Sequence, residues 1–248
     1  MYRDFLNRLD SIPVPKAGML HIERYRAQSG RAVLSQCQFD LSECDLELAA
    51  TLNIALPVSV QRSVAKRRAE FIAGRYMASL SLSALSVVDQ EVLIGSHREP
   101  LWPQAMTGAI SHTGDRAVAL VAEREAHPFV GIDVEHWLDA RTAAEIGSQI
   151  CQEREWRLLI EQGLNREQAI SLIFSAKESL FKATFPFIGR YFGFESACVV
   201  EFDWAEQILI LALEPFLAQY CSGQRVFRCQ FFCQTSTVTT VILSAPER

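Results

Sequence analysis

Basic residues are the scarce charge in this chain: Lys and Arg total 24 against 29 Asp and Glu, a formal net charge of −5 at pH 7. Non-specific nucleic-acid binding depends on many cationic contacts to phosphate and has no chain-wide support, so any anion site must be local. Paired CxxC motifs are absent. The seven cysteines (Cys37, Cys44, Cys151, Cys198, Cys221, Cys229 and Cys233) are odd in number and scattered, which implies neither a zinc site nor a closed disulfide framework and makes a reduced, cytoplasmic setting the expectation. No long apolar run occurs. ILILALEPFLA is broken by Glu214 and Pro215, and MYRDFLNRLDSIPVPKAG mixes charges with prolines, so neither a membrane span nor a signal peptide is expected. A GxSxG elbow is also missing. Ser111 and His112, neighbours in a stretch that reads as a strand, face opposite ways, which disfavours a nucleophilic hydrolase.

What is present is ordinary globular composition, 49% hydrophobic and 21% charged over 248 residues, enough to bury a core as one or two domains. The first sixty residues read as irregular, with PVP at 13 to 15 and a short helix through LSECDLELAATLN. From Val60 the apolar spacing predicts one helix ending before Val87. Then come VLIG as a strand, SHREPLWPQ as a loop, and the strands GAISHT and RAVALVAE. After EAHPF the pattern repeats with different residues: VGIDVEHW as a strand, helices in RTAAEIGSQI, EREWRLLIEQG and NREQAISLIFSAKESLFKATF, then strands in SACVVEFDW, QILILALE, RVFRCQFFCQ and VTTVILSA. The expectation is an α+β fold of two similar α/β halves, 1–126 and 127–248, related by a pseudo-two-fold with the active site in the cleft between them.

Four short segments carry candidate chemistry. In GIDVEHW, strand alternation puts Asp133 and Glu135 on one face. Such a pair is either a solvated acidic edge or half of a hard-cation site, because Mg²⁺ turns the repulsion of two carboxylates into attraction. In FSAKESLFKA, Phe174, Glu178, Phe181 and Lys182 share a helical side, so the Glu178–Lys182 pair borders an apolar surface where charged groups need a partner. AISHTGDR offers a histidine at a strand end, either satisfied by backbone or contacting phosphate. KRRAEFIAGR is a basic cluster in which Arg68 and Arg75, seven apart, return to nearly one helical face. That face is either solvated or suited to planar contacts with phosphate.

Taken together, the ordered set KRRAEFIAGR, REPLWP, GAISHT, GIDVEHW and FSAKESLFKA resembles the phosphopantetheinyl transferases of the surfactin type, within the group that includes the enterobactin synthase component. The resemblance spans roughly residues 60 to 195 and is most specific in GIDVE with FSAKESLFKA. It implies an enzyme that moves 4′-phosphopantetheine from coenzyme A to a serine of an apo acyl, aryl or peptidyl carrier protein, leaving 3′,5′-ADP. Siderophore, non-ribosomal peptide, polyketide or fatty acid synthesis would be the setting. It further implies Mg²⁺, or Mn²⁺, held by Asp133, Glu135 and Glu178, with Asp133, Glu178 and Lys182 as the catalytic set. Coenzyme A contacts would come from Arg68, Arg75, Arg98, Ser111, His112, Lys177 and Lys182, with His112 on the 3′-phosphate. The general base stays open among Glu178, Lys182 and a metal-bound water. A single-chain, two-half protein of this type is expected to be a monomer, without nucleic-acid partners. Two other classes stay in view, a different Mg²⁺-dependent phosphate-ester or nucleotide enzyme and a non-catalytic carrier-binding module. In PFIGRYFGFESA, Gly193 stands where an acid is expected.

Overall fold

The computed structural model describes residues 6–11 and 18–244. The Pro13–Pro15 segment read as irregular, and Ala245 at the end of the last expected strand, lie outside them. Contacts divide the chain into two compact units, one up to Pro128 and the other from Phe129. Each holds a five-stranded antiparallel sheet with a long helix against it.

In the first unit the elements are β1 (Leu6–Ser11), β2 (Met19–Ala27), β3 (Ala32–Phe39), α1 (Leu46–Thr51), α2 (Val58–Gln61), α3 (Ala65–Ala84), β4 (Leu93–Ile94), β5 (Pro100–Leu101), β6 (Met106–Thr113) and β7 (Arg116–Glu123). The large sheet runs β1-β2-β3-β7-β6, and β4 pairs with β5 as a separate ribbon. Three of these strands correct the expectation that the first sixty residues are irregular. Alternation in β2 is interrupted because the register slips between Leu20 and Glu23, around His21 at φ 48°. The slip turns Met19 and Ile22, three apart, both into the core. Helix α3 covers the sheet with Ile72, Ala73, Met77 and Leu82, and Ser81 bonds Ser35 of β3 at 2.8 Å. Gly74 lets the helix approach β6, since a Cβ there would stand 2.8 Å from Ile110. The single helix expected from Val60 is interrupted at 62–64, between α2 and α3.

The second unit holds β8 (Val130–His136), α4 (Ala140–Ile150), α5 (Glu153–Ile160), α6 (Arg166–Ile188), β9 (Ala197–Asp203), β10 (Ile208–Leu213), α7 (Pro215–Ala218), β11 (Val226–Cys233) and β12 (Thr237–Leu243). Its sheet runs β8-β12-β11-β10-β9. Helix α6 starts with a reciprocal cap: Asn165 Oδ1 accepts from Gln168 N at 2.8 Å, and Gln168 Oε1 from Asn165 N at 3.1 Å. It ends at Gly189, φ 68°, whose left-handed conformation closes the last turn. Leu172, Ile173, Ala176 and Leu180 bury it against Leu209, Leu211, Phe231 and Val238 of the sheet. Among the described residues no helix is long and apolar enough to cross a membrane.

Candidate functional site

Helix α6 lies unusually close to β8, and small residues are the reason. Gly131 precedes Asp133 by two on the same face of β8, and a Cβ there would stand 1.9 Å from the Ser179 carbonyl oxygen. Ser175 and Ser179, one turn apart on α6, bond Thr240 Oγ1 of the adjacent strand at 2.9 and 2.7 Å. Thr240 stands opposite Asp133 in the ladder. The serines of FSAKES therefore seat the helix on the sheet through a dry polar seam, which brings the next turn of the helix to Asp133.

There, Lys182 Nζ donates to Asp133 Oδ1 at 2.6 Å; the carboxylate is almost fully buried and the lysine one-fifth exposed. Glu178, one turn back, is half-buried, and burial pushes its carboxyl above the ordinary carboxylate range. The Lys182 charge works against that rise and the Asp133 charge adds to it. Glu135 sits nearer the exposed end of β8. Among the described residues no three His, Cys, Asp or Glu side chains are gathered as a ready-made metal site. Like charges hold apart, and the ammonium of Lys182 stands as the cation beside Asp133. A cavity of about 230 Å³ opens against Glu178, walled by Phe181, Tyr191, Phe192 and Phe194. Phe181 anchors that wall, its ring 5.1 to 5.7 Å from those of Phe185, Tyr191 and Phe192.

Lys177 is turned the other way and buried. Its ammonium pairs with Glu155 at 2.9 Å and donates to the Ile150 and Phe194 carbonyls at 2.9 and 3.2 Å. Glu155 in turn accepts from the backbone N–H groups of Gln152 and Val199. This is a satisfied internal ion pair tying α5, α6 and β9 together, so Lys177 is committed to the protein rather than to a nucleotide.

The first unit carries a second cavity, of about 400 Å³, whose lining includes Arg67, Glu70, Phe71, Arg75, Arg98 and His112. Arg75 lies over the Phe71 ring at 5.0 Å and donates to the Leu93 carbonyl at 3.2 Å, while its buried Nε has no hydrogen-bond partner among the described residues. Burial, helped by the Arg67 charge, lowers its pKa to about 10, which leaves it cationic near neutrality. A buried, underused guanidinium facing a cavity suits an anion. Arg98 reaches the lining from a turn in which it adopts φ 67°.

Two expected contacts do not reach this cavity. Arg68 Nη1 donates to the Ser63 carbonyl, which is available because the helix begins only at Ala65. Ser111 is buried on the opposite face of β6 from His112. Two residues that sequence reasoning passed over, Arg67 and Glu70, do line it. Arg67 Nη1 lies 3.2 Å from His112 Nε2, and a Glu70 carboxylate oxygen lies 3.6 Å from His112 Nδ1. Their signal was present in KRRAEF, where residues 67, 70 and 71 share a helical side.

Residues 56–122 match the 4′-phosphopantetheinyl transferase N-terminal domain, and residues 129–239 match the 4′-phosphopantetheinyl transferase superfamily. The chain is 33% identical over 182 residues to enterobactin synthase component D of Salmonella typhi, covering 71% of this chain and 72% of that protein. It is 35% identical over 139 residues to the 4′-phosphopantetheinyl transferase PptT of Mycobacterium tuberculosis, covering 56% and 60%. Over 125 residues it is 37% identical to enterobactin synthase component D of Escherichia coli K12, covering 50% and 58%.

Proposed function

Because the chain belongs to the 4′-phosphopantetheinyl transferase superfamily, we propose that it transfers the 4′-phosphopantetheine group of coenzyme A to a serine of an apo acyl, aryl or peptidyl carrier protein. The carriers are those of siderophore, non-ribosomal peptide, polyketide or fatty acid synthesis, in keeping with relatives named for enterobactin synthase. The first unit supplies the nucleotide contacts and the second supplies the acidic strand and the catalytic helix.

The observation that carries this reading is the charge cluster of Asp133, Glu178 and Lys182, held together by the approach of α6 to β8 at Gly131. The donor set of Asp133, Glu135 and Glu178 is three hard carboxylates, the chemistry Mg²⁺ takes, and Glu178, whose proton affinity is raised by burial, is a desolvated carboxyl that a dication would hold in its charged form. When bound, Mg²⁺ supplies electrostatic stabilisation of the charge that develops on the leaving diphosphate oxygen.

The protein's own groups do the rest. Arg75, Arg98 and His112 take the 3′-phosphate in the first cavity, and the aromatic cavity beside Glu178 excludes water from the pantetheine arm. Lys182 turns from Asp133 to the diphosphate. The carrier serine Oγ forms its bond to the β-phosphorus as the bond to the bridging oxygen breaks, releasing 3′,5′-ADP. Glu178, whose proton affinity burial has raised, receives the serine proton. Most of the acceleration then comes from positioning and electrostatics.

Incubating the protein with coenzyme A, Mg²⁺ and a panel of apo carrier proteins tests the proposal. A phosphopantetheinyl mass gained on the carrier serine is expected. Turnover of another phosphate ester with every carrier left unmodified would overturn it, as would carrier binding without transfer.

A further inference from the structure

The first cavity holds a carboxylate that a phosphate pocket has no obvious use for. Glu70 is 8% exposed on α3, and its oxygens lie 3.6 Å from His112 Nδ1 and 3.9 Å from both the Arg67 guanidinium and the Lys66 ammonium. On the other side of the imidazole, His112 Nε2 lies 3.2 Å from Arg67 Nη1. A guanidinium nitrogen only donates, so Nε2 is the acceptor and carries no proton, while Nδ1 carries its proton toward Glu70. In this arrangement His112 offers no N–H to an anion: its Nε2 accepts from Arg67 and its one N–H faces Glu70.

We propose that Arg67, His112 and Glu70 form a proton-coupled gate for the phosphomonoester. When the 3′-phosphate arrives, Arg67 swings from Nε2 to the phosphate, Nε2 takes one proton from solvent and keeps it as an N–H that hydrogen-bonds the phosphate, and Glu70 holds the resulting imidazolium from Nδ1. Glu70 is thus a positioning residue, acting on substrate through His112. The step balances: one proton enters from water, one Arg–His hydrogen bond breaks, and two charge-assisted bonds to phosphate form. Other charges around His112 come from Lys66 and Arg75 on α3 and Arg98 in the β4–β5 turn, all cationic. On β7 the residue opposite is Ala117. Glu70 is therefore the anion that makes a cationic imidazole tolerable among four basic side chains. The inference rests on the reading that this cavity takes the 3′-phosphate.

Isothermal titration of the full chain with coenzyme A and with 3′-dephospho-coenzyme A, each in two phosphate-free buffers of different ionisation enthalpy near pH 8, tests it. A phosphomonoester is already dianionic there, since its second pKa is about 6. Coenzyme A should bind with more proton uptake than the dephospho form, and subtracting the two cancels anything that happens at the diphosphate. In Glu70→Gln the excess uptake should vanish and coenzyme A affinity should fall roughly tenfold, the scale of one lost charge-assisted bond, with dephospho-coenzyme A binding unchanged. Glu70→Asp should restore part of the uptake. Equal affinity of the unaltered protein for the two nucleotides would remove the 3′-phosphate from this cavity and sink the functional reading with it. Tighter binding of coenzyme A with no excess uptake would overturn the gate alone. That second result needs no variant to fold.

Discussion

At the residue scale, Glu178 shows how a site is assembled at a cost in stability. Its carboxyl is held above the ordinary range by burial, with Asp133 adding to the effect. A raised acid contributes stability that is fully present below the unfolded carboxyl's range, about pH 4, and is lost as pH climbs through the raised value. Glu178→Gln should therefore melt together with the parent protein below about pH 4 and above it at neutral pH, by about 1–3 °C for a chain of this size. The same variant should lose phosphopantetheinyl transfer. Matched melting curves across pH, beside the carrier mass assay, check both. Asp133→Ala should likewise abolish transfer while the protein stays folded, as read by circular dichroism; a variant that kept its activity would remove the carboxylates from the chemistry.

At the element scale, the junction of α6 with β8 depends on what is missing from its side chains. Gly131→Ala would place a methyl against the Ser179 backbone oxygen, and backbone cannot rotate aside as a side chain can. A loss of about 1–3 kcal/mol in denaturant unfolding is expected, together with a fall in transfer as Lys182 is carried away from Asp133. The buried pair beneath makes a second test. Lys177→Met leaves the Glu155 charge uncompensated and should destabilise by about 3–5 kcal/mol, whereas Lys177→Met with Glu155→Leu should recover most of it. The four-residue α7 went unread, whereas α4, α5, α6 and the strands from β6 onward were legible because their apolar periods run unbroken. β2 was not, because the slip at His21 removes the period of two that announces a strand. The break at 62–64 was equally hidden, and with it the reason Arg68 turns back to Ser63 while Arg67 meets His112. Spacing placed Asp133 with Glu135 on one strand face and Glu178 with Lys182 on one helical side, while a shared role for them came only from the family resemblance. The polarity of Lys177 could not be read from spacing: a lysine next to the key glutamate looks like a ligand until its three internal partners are seen.

At the scale of the whole molecule, each unit has its own apolar core and its own cavity, one basic and one aromatic. The seven thiols are all free among the described residues, five of them buried. Burial lifts the Cys37 thiol out of its usual range and the Cys229 thiol to about 12, which keeps both protonated and unreactive.

One contact described above separates folding from turnover. With an ammonium tethered on the protein itself resting against Asp133, that carboxylate has a counter-ion within the chain. Chelation by EDTA should accordingly leave the melting temperature where it was and silence the transfer reaction. The purified protein should then survive storage stripped of divalent ions and regain full turnover on their return.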